Sequence, residues 1–210
     1  MCQEMKPQAG SVVGLLLVCD ARQAQWAGGQ LRSKWAMYCG QRVLERQCEV
    51  LRGAGVGRVL VCSAGGEVEG RWGRQADLVV APGEGFGSAL GAGLEVAFGV
   101  VRPPEAVLVW PVRWPLADAD ALEGVLCEPG LGCGPGFWLS APWSQSRGWG
   151  WPVLMSGGLA KEVLASDLKD MWAVARAHGS VIWRRVALGG ESAHVDLAGQ
   201  ASLSRFVAGQ

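Results

Sequence analysis

Charged residues follow several apolar stretches of this sequence, and at these positions side chains could do chemistry. The stretch EAVLVWPVRWPLADADAL, residues 105–122, resembles a buried strand that breaks at a proline and leads through Arg113 into a helix. The first apolar run, VVGLLLVC, ends just before Asp20, and Asp196 stands in HVDLAGQ near the C-terminus. Ligands of open parallel sheets bind outside the carboxyl ends of the strands. We therefore expect Cys19, Arg113 and Asp196 to converge on one cleft.

The segment after the first apolar run combines glycines with positive charge, which suits an anion. Glycines let the main chain approach an anion closely, so that backbone N–H groups can bind it. The candidates for phosphate contact are Arg22, Gly28, Gly29 and Lys34. Asp20 acts against them, because a carboxylate repels phosphate unless a cation lies between the two. The alternative is a surface loop whose basic side chains are simply solvated.

The other polar candidates have simpler explanations. Asp118 and Asp120 fit the start of a helix, as an N-cap and a favourable first-turn charge, and we prefer this to a metal site. Neither His178 nor His194 has a cysteine or serine partner that the sequence identifies, and a lone histidine is more often structural than catalytic. No GxSxG, P-loop, HExxH or strand-linked GxGxxG pattern occurs.

Composition predicts a single α/β domain in the cytoplasm. The chain has 210 residues, which is enough for one sizeable core and too few for two ordinary domains. Its 19 basic and 19 acidic residues cancel, which argues against a nucleic-acid or anionic-membrane partner. Seven cysteines, an odd number without a CxxC pair, indicate reduced thiols. The run VVGLLLVC is too short for a membrane helix.

The order of the apolar patterns predicts a three-layer α/β/α sandwich with a mostly parallel, Rossmann-like sheet. β-branched or leucine-rich runs alternate with helical periodicity, which is typical of parallel strands joined by helices. The expected strands of this half are VVGLLLVC and the segments 58–62, 78–80 and 106–110. Three helices are marked by the sets Leu44, Cys48 and Leu51; Leu90, Leu94, Ala97 and Phe98; and Leu122, Val125 and Leu126.

Beyond Cys127 the pattern loosens into a segment rich in glycine, proline and tryptophan. We expect residues 127–151 to form a lid or contact surface, with exposed Trp143 and Trp149, because the segment shows no periodic apolar face. FWLS and PVLM look extended, a helix is expected around Leu168, Met171, Trp172 and Ala175, and VIWRRVAL is expected to be a strand. Trp110, Trp172 and Trp183 fall on buried patterns.

Four stretches in this order resemble the nucleotidyltransferases of molybdenum-cofactor maturation, the MobA-like NTP transferases. They are GLLLVCDARQAQWAGGQLRSK, CGQRVLERQCEVLRGAGVGRVLV, VVAPGEGFGSALGAGL and AVLVWPVRWPLADADAL. The third matches best, because the family pattern G-M-x-x-S-L-x-x-G-L survives from Gly85 through Ser88 to Leu94. GWGWPVL and HVDLAGQASL resemble two later family motifs. The resemblance implies the fold of nucleotide-diphospho-sugar transferases, with a nucleotide-binding half over 1–126 and an acceptor-side half over 127–210.

The same resemblance implies a nucleotide site and a metal site. It assigns Lys34 a catalytic role and Asp196 a metal-ligand role. It assigns nucleotide contacts to Asp20, Arg22, Gly28, Gly29, Lys34, Gly85, Ser88 and Arg113. Arg113 stands where the family has a metal-binding aspartate, and an arginine cannot bind Mg²⁺. Magnesium is therefore doubtful, while CTP or GTP remains the implied nucleotide, and molybdopterin or a molybdenum-enzyme maturation protein the implied partner.

Three functional hypotheses remain at this point. The first is a nucleotide-binding pseudoenzyme of the family that has lost or reduced catalysis. The second is an active Mg-dependent CTP or GTP:molybdopterin nucleotidyltransferase in which another acid holds the metal. The third is an unrelated α/β interaction domain. Whether the chain is an enzyme, and whether it forms a homo-oligomer, is left open.

Overall fold

The alternation of strands and helices expected from the sequence is present in the computed structural model, which describes residues 11–19, 37–38, 41–64, 76–114, 119–127, 136–167, 169–187 and 194. The strands are β1 (Val12–Val18), β2 (Met37–Tyr38), β3 (Gln41–Arg42), β4 (Arg58–Ala64), β5 (Asp77–Ala81), β6 (Ala106–Pro111), β7 (Trp138–Ser144), β8 (Gly148–Trp149), β9 (Val153–Ser156) and β10 (Ile182–Ala187). The helices are α1 (Val43–Gly53), α2 (Phe86–Phe98), α3 (Ala119–Cys127), α4 (Gly157–Ala165) and α5 (Met171–Ala177).

One mixed sheet of eight strands forms the centre of the molecule. Its order is β10-β7-β9-β6-β1-β4-β5, with β8 paired to β7, and β2 and β3 form a separate antiparallel pair. β1 pairs in parallel with β4 and β6, β4 with β5, and β7 with β10. β9 runs antiparallel to both β6 and β7. The expectation of mostly parallel strands therefore holds for the β5-β4-β1-β6 half and is interrupted at β9.

Helices cover both faces of this sheet, which confirms the three-layer α/β/α architecture. α1 and α3 pack on one face, and we call this the α1 face; α2, α4 and α5 pack on the other, the α2 face. All seven residues of β1 are buried, because both of its faces are covered. The expected core positions of the first three helices, among them Leu44, Leu90 and Leu122, are buried, except for the half-buried Phe98.

The prediction that residues 127–151 form a lid or contact surface is wrong for β7. β7 is an internal strand of the sheet, with Trp138 buried on the α1 face and Leu139 on the α2 face. Both faces are covered, so the strand has no alternating pattern for the sequence to reveal. Trp143 and Trp149 are half-buried instead of exposed, because they lie opposite each other in the β7–β8 pairing.

The later helices and strands agree only in part with the predictions from the sequence. The strand VIWRRVAL and the helix at Met171 are present as β10 and α5, whereas Trp172 and Trp183 are half-buried instead of core. The helix α4 was not expected, since it opens with two glycines. Ser156 begins it by accepting a hydrogen bond on Oγ from the Leu159 N–H at 3.2 Å. None of the helices in the described ranges is long and apolar enough to cross a membrane.

Candidate functional site

A cleft of about 580 Å³ lies beyond the carboxyl ends of β1 and β6, beside the start of α2. It is lined by Cys19, Glu84, Gly85, Phe86, Pro111, Arg113, Trp114 and Trp151. Cys19 follows β1, and Arg113 follows β6, its neighbour in the sheet. These two strand ends therefore share one cleft, as the parallel arrangement predicts.

Backbone hydrogen bonds fix the elements that frame the cleft. The Gly85 N–H donates to the Cys19 carbonyl at 2.9 Å and ties the start of α2 to the end of β1. The Val112 N–H donates to the Leu17 carbonyl at 2.9 Å and ties the segment after β6 to the same strand. Both bonds are made to the end of β1. The start of α2 and the segment after β6 are therefore held at fixed positions relative to each other.

The start of α2 is built to receive a negative charge. Gly85 has φ of 90°, a conformation that residues with a Cβ rarely adopt, and no side chain caps the helix. The Ala89 N–H makes the bond to the Gly85 carbonyl at 3.2 Å, and the N–H groups of the preceding first turn lie toward the helix start. Such N–H groups and the helix dipole favour an anion.

A tight turn presents Arg113 to the cleft. The Trp114 N–H donates to the Pro111 carbonyl at 3.0 Å, which closes the turn. The Trp110 indole N–H donates to the Trp114 carbonyl at 2.6 Å. Val112 is buried in the α1-face core, while Arg113 is half-buried and lines the cleft. A guanidinium in this position can form paired hydrogen bonds to phosphate or carboxylate oxygens.

Part of the cleft lining is aromatic and continues into a larger group of rings. Phe86 and Trp151 lie with ring centroids 5.8 Å apart, and Trp151 meets Trp172 edge-on at 6.0 Å. Trp172 in turn stacks on Trp183 at 6.2 Å, and Trp149 contacts both, at 6.0 Å and 5.6 Å respectively. We call Phe86, Trp149, Trp151, Trp172 and Trp183 the aromatic wall. It offers flat apolar surface next to the polar end of the cleft.

Arg185 lies next to Trp149, at the end of the aromatic wall that is far from the cleft. The Arg185 guanidinium lies 4.6 Å from the ring centroid of Trp143 and 5.9 Å from that of Trp149. Stacked arginines of this kind are held by the electrostatic attraction between a cation and a ring face. This packing and the β7–β8 pairing together leave Trp143 and Trp149 half-buried.

The described lining does not fit a magnesium site. Among the residues that the structure describes, no group of three histidine, cysteine or acidic side chains could hold a metal ion. The described part of the cleft offers one carboxylate, Glu84, together with the cation Arg113. Mg²⁺ is held by carboxylates and phosphate oxygens, and a fixed positive charge beside it is unfavourable.

The structure brings together some of the site residues predicted from the sequence. Gly85 and Arg113 line the cleft. Ser88 lies in the first turn of α2, where its Oγ accepts a hydrogen bond from the Gly83 N–H at 3.1 Å and braces the loop before the helix. The remaining predicted residues lie outside the described part of the chain: Asp20, Arg22, Gly28, Gly29, Lys34 and Asp196.

Sequence reasoning missed three aromatic residues of the lining and one acid. Phe86, Trp114, Trp151 and Glu84 were not among the predicted site residues, although all lie in or beside motifs that were recognised. For Glu84 the available signal was its place just after an apolar strand. Neither histidine belongs to the described lining of the cleft. His178 packs on Phe137 at 4.1 Å between ring centroids, and its Nδ1 lies 3.0 Å from Ser180 Oγ, a serine partner that the sequence did not identify. His194 is buried.

Solved structures similar to this chain include Rv0371c, a cytidylyltransferase and a nucleotidyl transferase. Rv0371c of Mycobacterium tuberculosis is 17% identical over 96% of this chain and 100% of its own, with a TM-score of 0.67. A 2-C-methyl-D-erythritol 4-phosphate cytidylyltransferase from Thermus thermophilus is 17% identical over 94% of this chain and 97% of its own, with a TM-score of 0.61. A nucleotidyl transferase from Methanothermobacter thermautotrophicus is 12% identical over 93% and 95%, with a TM-score of 0.63.

The sequence itself carries a family signature. No curated protein matches the chain. The family profile described as MobA-like NTP transferase domain matches residues 29–181, which is more than half of the chain and includes both Gly85 and Arg113. This match removes the interpretation as an unrelated α/β domain, and the chain belongs to the MobA-like NTP transferase family.

Proposed function

We propose that this protein binds a nucleoside triphosphate with Arg113 in place of the metal ion, and that its nucleotidyl transfer is lost or greatly reduced. It would then serve as an accessory protein in the maturation of molybdenum enzymes, in the cytoplasm. Cys48 and Cys62 form no disulfide within the described part of the chain, which suits a reducing compartment.

The observation that carries this proposal is that Arg113 lines the same cleft as Gly85 and Phe86 at the start of α2. The helix start offers N–H groups to one part of a polyphosphate, and the guanidinium offers a fixed charge and paired donors to another. An arginine is charged at every physiological pH, so this contribution needs no metal. Nucleotidyl transfer also needs a cation that orients the leaving pyrophosphate, and a tethered side chain serves that role poorly.

The rest of the nucleotide site is proposed from the family resemblance. Arg22, Gly28, Gly29 and Lys34 would surround the phosphates, with Lys34 in the catalytic position of an active relative. Asp20 would weaken this contact. Asp196 would be the remaining metal ligand of the two that the family uses, which is one reason to expect reduced catalysis.

The aromatic wall suits the acceptor side of the proposed site. Trp151 belongs both to the cleft lining and to the wall, so a ligand that extends from the phosphates passes onto apolar rings. We propose molybdopterin, or a maturation protein that carries it, as the partner on this side. Residues 1–126 would then supply the nucleotide contacts and residues 127–210 the acceptor contacts.

Calorimetric titration of CTP and of GTP tests the proposal, with each nucleotide titrated once in EDTA and once in Mg²⁺. We expect the wild type to bind with little dependence on the metal and to release no pyrophosphate. Arg113→Asp should bind more weakly in EDTA and gain metal dependence, because a carboxylate replaces the cation. Arg113→Lys is the matched control, since it keeps the charge and loses the paired donors. Wild-type binding that requires Mg²⁺, or pyrophosphate release, contradicts the proposal.

A second candidate function is an active Mg-dependent CTP or GTP:molybdopterin nucleotidyltransferase. The observation in its favour is Glu84, an exposed carboxylate in the cleft lining that could take over the metal. Glu84→Gln separates the two functions: it abolishes pyrophosphate release if Glu84 holds a metal, and it leaves nucleotide binding in EDTA intact if Arg113 replaces the metal.

A further inference from the structure

The turn that carries Arg113 is tied to the core by a side chain that the cleft never touches. Trp110 is the second-last residue of β6, is fully buried and packs in the α1-face core. Its indole N–H donates at 2.6 Å to the Trp114 carbonyl, four residues further along the chain. A buried tryptophan normally needs a partner for this N–H, and here the partner is the backbone just after Arg113.

Three hydrogen bonds together define this turn. One holds its entrance, from the Val112 N–H to the Leu17 carbonyl at 2.9 Å, and one closes it, from the Trp114 N–H to the Pro111 carbonyl at 3.0 Å. These two are backbone bonds that a turn of this shape can form with many sequences. The bond from Trp110 is the one that depends on a particular side chain, and it fixes the exit of the turn.

We propose that Trp110 is a positioning residue that holds the Arg113 turn in the conformation that directs the guanidinium into the cleft. This inference rests on the proposed role of Arg113 in nucleotide binding. A long side chain on a mobile turn loses conformational freedom when it binds phosphate, which lowers affinity. Ordering the turn beforehand from the core removes part of that loss, and Trp110 does so without contacting the ligand.

Trp110→Phe tests the hydrogen bond, because phenylalanine keeps an aromatic ring in the core and has no donor. We expect CTP binding in EDTA to weaken by about three- to tenfold, the range that corresponds to one long side chain left to be ordered on binding. Trp138→Phe is the matched control. Trp138 is a buried tryptophan of the same core, it lies on β7 away from the Arg113 turn, and its loss should leave affinity unchanged.

A double-mutant cycle distinguishes positioning from general damage to the core. In an Arg113→Lys background a cation remains, so binding stays measurable, and the paired donors that need alignment are gone. If Trp110 acts through Arg113, Trp110→Phe should cost little further affinity in that background. An equal loss with and without Arg113 would mean that Trp110 acts on the fold alone and would overturn the inference.

A second replacement covers the case in which Trp110→Phe does not fold. The benzothienyl analogue of tryptophan keeps the two-ring shape and carries sulfur where the N–H stands. Its incorporation at position 110 should weaken binding as the phenylalanine variant does. Unchanged affinity in either variant overturns the inference while the proposed function survives, whereas a wild type that binds neither CTP nor GTP in EDTA overturns both.

Discussion

The two helical faces of the sheet are packed in different ways. On the α2 face, glycines bring backbone and side chains into direct contact: a Cβ on Gly93 would lie 2.5 Å from Cys62 Sγ, and one on Gly157 would lie 2.4 Å from the Pro104 carbonyl oxygen. On the α1 face, α1 buries Gln47 completely, and neither of its side-chain amide atoms has a hydrogen-bond partner among the residues that the structure describes. The first face is closely fitted, whereas the second buries a polar side chain, and a buried amide that lacks a hydrogen-bond partner destabilises a fold.

The difference in packing between the two faces is related to the position of the cleft. α2 begins at the cleft, and the aromatic wall packs on the same face, so the position of the N–H groups at the start of α2 depends on how closely α2 and α4 pack on the sheet. Binding groups must be held to within a fraction of an ångström, which close packing achieves. α1 contributes no residue to the described lining of the cleft. We therefore expect substitutions on the α2 face to cost more, and the α1 face to offer room for stabilisation.

The largest effect is expected at Gly157, the first residue of α4. Its N–H donates to the Glu105 carbonyl at 2.7 Å, and an added Cβ would meet the Pro104 carbonyl oxygen at 2.4 Å. Both neighbours are backbone atoms that cannot rotate away, so α4 would have to shift. Gly157→Ala should lower the free energy of unfolding by about 3 kcal/mol, at the upper end for overpacked sites. Urea denaturation followed by circular dichroism measures it.

Two alanine variants serve as controls for Gly157. Gly158→Ala lies next to it on the same helix, where the nearest atom is a Phe137 ring carbon at 3.4 Å, so it should be neutral or slightly stabilising. Gly14→Ala lies on the α1 face and meets only side-chain atoms of Leu51 and Val56, at 3.1 Å and 3.2 Å, which can adjust. If Gly14→Ala costs as much as Gly157→Ala, the contrast between the faces is wrong.

The sequence predicts the parallel half of the sheet well. β1, β4 and β6 are long apolar runs, because a strand covered on both faces needs apolar side chains throughout. The helices between them show periodic apolar positions such as Leu44, Cys48 and Leu51, since each buries only one side. The local sequence is therefore sufficient to predict the strands and helices of this half.

The other half depends on information that is not local. The reversed direction of β9 is set by its partners β6 and β7, and the tetrapeptide VLMS contains no signal for direction. β7 was mistaken for a contact surface because its tryptophans and proline resemble an interface, although Trp138 packs inside the sheet. In the site, charged residues at strand ends were recognised, such as Arg113. The aromatic wall was missed, because its rings come together only through β8, α5 and β10.

A substitution on the α1 face is expected to raise the free energy of unfolding, by less than Gly157→Ala lowers it. Gln47 is fully buried, and within the described ranges neither its Nε2 nor its Oε1 has a hydrogen-bond partner. Each unpaired buried polar group costs free energy that an apolar side chain of similar size would recover. Gln47→Leu should raise the free energy of unfolding by about 2 kcal/mol. Nucleotide affinity should not change, because α1 does not line the described cleft.

Gln47→Glu is the matched control for the apolar replacement. It keeps the size of the side chain and adds a buried charge, so it should destabilise the protein. A destabilised Gln47→Leu would mean that the amide has a polar partner, and the α1 face would then be as closely fitted as the α2 face.

The smallest expected change in stability concerns one cysteine thiol on each face at alkaline pH. Burial raises the pKa of Cys48, on α1, from 9.0 to about 12, and Arg52 offsets this in part. Burial also raises the pKa of Cys62, on the α2 face, and Cys19 raises it further. A thiol with a higher pKa in the folded state keeps its proton while the unfolded chain loses it. Stability is thus fully present below pH 9 and falls as the pH rises toward the folded pKa.

Replacing each thiol isolates its share of this pH dependence. Between pH 8 and pH 10, Cys48→Ala should lose about 1 kcal/mol less stability than the wild type, because one raised pKa contributes roughly this much over the interval. Cys62→Ala should reduce the loss of stability over the same interval by a similar amount, since both folded thiols stay protonated across this range. Urea midpoints at the two pH values give the difference, and lysine and arginine titration cancels because it is common to all three proteins. If Cys48→Ala follows the wild type across the interval while Cys62→Ala does not, then water reaches the Cys48 thiol, and the α1 face is looser than its complete burial of Cys48 indicates.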